Sequence, residues 1–116
     1  MSLKALLLTP ETPVPVTRTL LGGEFELIRL PADRLSQFEK NRVKYSQEQD
    51  PDKLNDNTAM LVLDSIIDED GSPMSKTIKP KELLKTKSVT AINAAMRVVL
   101  QLNYMAEGAE EEAKEA

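Results

Sequence analysis

Residues 89–105 read VTAINAAMRVVLQLNYM, and the fold turns on how much of this stretch a small domain can cover. At 100° per residue, Val89, Ile92, Met96, Val99 and Leu100 fill one side of a helix. Ala91, Ala95, Val98, Leu102 and Met105 fill the neighbouring sector. The polar face, from Asn93 through Arg97 and Gln101, keeps roughly a quarter to a third of the circumference. A surface helix needs an apolar stripe only ~100° wide, so this one must be covered on most sides. Ser88 stands where an N-cap hydroxyl belongs. The apolar excess predicts self-association, with Val98, Leu102 and Met105 among the contact residues.

Upstream of this helix, Pro80 opens a short one over Lys81–Lys85. The run Asp68-Glu69-Asp70-Gly71-Ser72-Pro73 is a turn. From Asn57 to Ile67, helical spacing gathers Ala59, Met60, Val62, Leu63, Ile66 and Ile67 on one side, with Asp64 and Ser65 opposite. A buried strand at Met60–Leu63 competes with that helix, because a short apolar run fits both. Residues 47–56 form a polar linker broken by Pro51. Leu35, Phe38 and Tyr45 recur at helical spacing and predict a surface helix near 32–46, with Pro31 and Asp33 at its start.

Further upstream, β-prone runs at Val16–Leu21 and Glu24–Leu30 flank Gly22-Gly23, a pair suited to a tight hairpin turn. Phe25 and Leu27 share one face, Glu24 and Glu26 the other. Thr9–Val16 carries three prolines and reads as a stiff extended arm. Ahead of it lie Leu3, Leu6, Leu7 and Leu8. These leucines either tuck back onto the domain's own core or ride the proline arm onto a neighbouring molecule. The expectation is a mainly α fold with one N-terminal β-hairpin near 16–30. It divides into an arm (1–15), a single α-rich domain (16–106) and a disordered acidic tail (107–116).

Composition narrows the function. The chain of 116 residues has no cysteine and no histidine. Disulfides, thiolate chemistry, the commonest neutral-pH base and the commonest zinc ligand are therefore missing. A non-enzymatic protein without cofactor or metal is expected. The net charge of −4 lies entirely in residues 107–116, five glutamates against one lysine; the other 106 residues balance 14 basic against 14 acidic side chains. No block of Lys and Arg suits nucleic acid. No apolar run approaches the ~20 residues that cross a bilayer. The leucine-rich start lacks the cleavage site of a signal peptide, so the cytoplasm is the expected location.

Two motifs dissolve on inspection. Asp68-x-Asp70-Gly71 imitates a calcium loop, but alignment on Gly71 leaves Ile66 and Thr77 where carboxylates belong. Gly22-Gly23 lacks every other part of a phosphate-binding pattern.

The order of parts carries a family resemblance. A Gly-rich hairpin ends in Glu24-Phe25-Glu26-Leu27-Ile28-Arg29-Leu30-Pro31 and leads to a charged helix. An apolar helix runs into Ile67-Asp68-Glu69-Asp70-Gly71-Ser72-Pro73-Met74. A long Ala/Val/Leu helix then ends in Leu102-Asn103 and a Glu-rich tail. Over about residues 14–112 this resembles the tail assembly chaperones of long-tailed bacteriophages, encoded just before the tape measure protein. The resemblance implies a protein that coats the tape measure protein, keeps it soluble and brings tail tube protein to it. It also implies work in the host cytoplasm, absence from the mature virion and, in many phages, a longer frameshifted form. No catalytic residues come with it. A structural subunit of a tail or head–tail junction, and a small regulatory module such as an antitoxin-like adaptor, are the alternatives.

Overall fold

The computed structural model describes residues 2–10 and 14–104. The chain runs through helix α1 (Leu3–Leu8), strands β1 (Val16–Leu20) and β2 (Gly23–Leu27), and helices α2 (Ala32–Gln47) and α3 (Pro51–Ser65). Strand β3 (Ile66–Ile67), a 3-10 turn at Met74–Lys76, and helices α4 (Pro80–Thr86) and α5 (Val89–Tyr104) follow. The fold is mainly helical, with one antiparallel sheet in the order β1-β2-β3. The competing strand at 60–63 is absent; those residues lie within α3.

The linker assigned to 47–56 shrinks to Glu48–Asp50. Pro51 starts a helix instead of breaking one. Its missing N–H costs nothing in the first turn, and Asp50 Oδ1 accepts the Lys53 N–H at 3.1 Å as the N-cap. Just before it, Gln49 takes a left-handed conformation (φ 54°). Gln49 N and Asp50 N donate to Ser46 O and Tyr45 O and close the end of α2.

Helix α3 is the buried axis, packed by α2, α4 and α5. Asn57, Ala59, Leu61, Val62, Leu63 and Ser65 are all buried. Ser65, expected on a polar face, is 0% exposed. Its partner on that face, Asp64, pairs with Arg34 of α2 at 2.8 Å. Ile66 and Ile67 leave the helix and form β3, pairing with Leu27 and Glu26. Two consecutive β-branched residues favour a pleated surface over a crowded helical turn.

The hairpin sits near 16–30 as expected, but its turn is Leu21-Gly22, with Leu20 opposite Gly23. Both turn residues have positive φ, 52° and 83°, as a type I′ turn requires. A Gly22-Gly23 turn would leave Leu21 in the strand on the outer face shared by Thr17 and Thr19. In the observed turn Leu21 packs against both core clusters. Left-handed backbone costs a leucine about 1–2 kcal/mol, and the partial burial of the side chain against the core offsets that cost. Phe25 and Leu27 do share the inner face, across from Arg18 and Val16; Leu27 is fully buried and Phe25 lies at the rim.

Helix α5 begins as expected, with Ser88 Oγ accepting the Ala91 N–H at 3.1 Å. It buries one stripe, Ile92, Ala95, Val99 and Leu102. Met96, Val98 and Leu100 pack half-buried against the same core. Its far end is held by the chain between β2 and α2. Arg29 Nε donates to Leu102 O at 3.0 Å, and Leu30 N donates to Asn103 Oδ1 at 2.7 Å.

Three stability outcomes follow from these placements. Gly22→Ala meets nothing within 4 Å of the new Cβ, so chemical denaturation should report only the backbone cost, about 1 kcal/mol. Leu102→Asp places a carboxylate in the core and should abolish the cooperative thermal transition. Leu7→Asp, on exposed α1, should leave stability within about 0.5 kcal/mol of the original.

Candidate protein-binding surfaces

Helix α1 was not foreseen within the N-terminal arm. Ser2 Oγ accepts the Ala5 N–H at 3.1 Å and starts it, and Thr9 Oγ1 donates to Ala5 O at 2.7 Å as it ends. Leu3, Leu6 and Leu7 stand at i, i+3 and i+4 and so share one face; Lys4 borders that face. The helix buries nothing. Leu3, Leu6, Leu7 and Leu8 are 78%, 56%, 82% and 70% exposed. Of the two courses open to these leucines, the structure shows them displayed and not tucked onto their own core.

A groove of about 880 Å³ opens where β3 stops. On β2, strand β3 reaches only Glu26 and Leu27, short of Glu24 and Phe25, and Ile67 also bridges to Pro73. Phe25, Ile67 and Met74 supply apolar surface, and Glu24, Glu26, Asp68, Glu69 and Asp70 supply charge; among the described residues no Lys or Arg lines it. The Asp68–Ser72 turn is self-contained. Asp68 Oδ1 accepts from Asp70 N (2.9 Å) and Ser72 N (3.0 Å), while Gly71 turns at φ 81°. Among the described residues, no three carboxylates converge to hold a metal ion.

A second groove, about 620 Å³, lies between the facing ends of α2, α3 and α4. Tyr45, Met60 and Pro80 form its apolar part, and Lys53, Lys79, Lys81 and Asp56 its charged part. The Nζ atoms of Lys44 and Lys53 sit 5.9 and 5.6 Å from the Tyr45 ring centroid. Reading 47–56 as a linker hid this groove. The Asp-Pro-Asp run at 50–52, a capping residue followed by a first-turn proline, is the signal that exposes it.

The contact residues expected on α5 fare differently. Leu102 is 3% exposed and belongs to the domain's own core, so it does not offer a partner its side chain. Val98 is half-buried against that core. Met105 and the acidic tail 107–116 lie outside the described residues. The apolar excess read from α5 is thus largely taken up by α3 and the sheet, which the helical projection did not include. Exposed large apolar side chains occur instead on α1 and singly at Val14, Phe25, Val43, Val89 and Tyr104. No helix among the described residues is long and apolar enough to cross a membrane.

No protein-family model, curated protein or solved structure matches this chain.

Proposed function

We propose that this chain is a non-enzymatic assembly chaperone of a long-tailed phage. It binds the tape measure protein, recruits tail tube subunits in the host cytoplasm and is absent from the mature virion. The observation that carries the reading is α1, a helix with four exposed leucines set ahead of a domain that covers its own core. A holdase needs apolar surface to offer a client, charge to stay soluble and no chemistry; the leucines and the acidic tail meet those needs. The chain works as a homo-oligomer without cofactor, nucleic acid or membrane.

Magnitudes favour many weak contacts over one strong one. Three buried leucines contribute about 5–9 kcal/mol gross, against association costs of roughly 4–15 kcal/mol. One arm on one client segment therefore binds weakly. A long helical client gripped by several copies gains through effective concentration instead.

A structural tail subunit would use the same arm for a permanent contact, and its presence in purified particles separates the two readings. Co-expression should move an aggregation-prone cognate tape measure protein into the soluble fraction. Removing residues 107–116 should spare folding and lower the solubility of the complex, because that segment carries the whole net charge. Removing residues 1–9 should weaken client capture more than it lowers the thermal transition. A tape measure protein equally soluble with and without the chain overturns the proposal.

A further inference from the structure

We infer that the Leu3–Leu8 helix of one chain docks in the acidic-edged groove beside β3 of a second copy. The inference deepens the self-association part of the proposed function, and its test contains no client, so the two can fail separately.

Helix α1 has six residues and buries none of them. Isolated helices shorter than ~12–15 residues are marginal in water, so this one needs a surface to lie on. Its own domain does not provide that surface, since all four leucines stay exposed. Residues 2–10 carry one charge, Lys4, and no carboxylate.

The two grooves differ in what they would accept. The groove at Tyr45 is flanked by Lys53, Lys79 and Lys81 and repels Lys4. The groove beside β3 offers Phe25, Ile67 and Met74 to the leucines and five carboxylates to the lysine. Phe25 is the one large apolar side chain of the sheet's inner face that the core leaves more than a third exposed. An apolar helix edged by positive charge thus meets an apolar groove edged by negative charge. Each copy carries one helix and one groove, so exchange between copies satisfies both.

The absence of cysteine makes a clean test available. Leu7, Glu69 and the control Gln37 on α2 are all exposed, so substitution there should spare the fold. Equal amounts of full-length Leu7→Cys and Glu69→Cys chains are mixed and oxidised. The two-chain disulfide product should exceed that from Leu7→Cys mixed with Gln37→Cys by about tenfold, reflecting effective concentration at the docked site. In sedimentation, Leu7→Asp should weaken association by about tenfold or more. Lys4→Glu should weaken it in the same direction, and mixing it with a Glu24→Lys/Glu69→Lys chain should restore part of the loss. If Leu7→Asp fails to fold, the cysteine pair and Lys4→Glu report on the same contact. Equal cross-linking at position 37 overturns the inference. So does a wild-type chain that stays monomeric at its highest soluble concentration. A Leu7→Cys/Glu69→Cys double variant that closes chiefly within one chain does so as well, by placing the helix on its own groove.

Discussion

Two hydrogen bonds between Ser65 and Ile28 join the sheet to the helices. Ile28 N donates to Ser65 O at 2.9 Å, and Ser65 Oγ donates to Ile28 O at 3.0 Å. Ser65 is wholly buried at the point where α3 becomes β3. A buried hydroxyl left without a partner costs about 1–3 kcal/mol, so the junction holds only while the strand lies alongside. That register seats Leu27 over the helical core. It also delivers Arg29 and Leu30 to the end of α5. The sheet, three strands of five, five and two residues, is tied to α3 through this junction.

Much of this was legible from local chemistry. The bounds of α2, α4 and α5, the Ser88 cap and the hairpin all follow from periodicity, proline placement and glycine. What stayed hidden depended on tertiary demands. Leu21 enters a left-handed turn because two core clusters need its side chain, which no turn rule encodes. Ser65 looks polar on a helical projection and is buried by a strand that the projection cannot contain. Helix α5 looked too apolar for one domain because its covering partners, α3 and the sheet, were not yet placed around it. Of the candidate contact residues, the α1 leucines were readable as a cluster; Leu102 was read from a face that proved internal.

The Asp-Glu-Asp-Gly turn and the Leu-Asn helix end are joints of the fold. In the Asp-Glu-Asp-Gly turn, one carboxylate oxygen of Asp68 ties down two backbone N–H groups. At the Leu-Asn helix end, Asn103 accepts from Leu30 N and donates to Val99 O, each at 2.7 Å. Both are places where a short polar side chain substitutes for missing backbone partners.

The clasp between Leu30 and Asn103 spans 73 residues, and it orders events during synthesis. The hairpin emerges from the ribosome early, but its inner face gains Val99 and Leu102 only when α5 arrives. At ~5–20 residues per second, the interval between residue 30 and residue 103 is roughly 4–15 seconds. Throughout it Leu20, Leu27 and Phe38 lack their α5 cover, while the leucines of α1 are already outside. The nascent protein therefore passes through a stage more adhesive than its finished form, displaying core and arm together. On a polysome, where several copies emerge side by side, any contact made through such an arm can precede the closure of the domain that carries it.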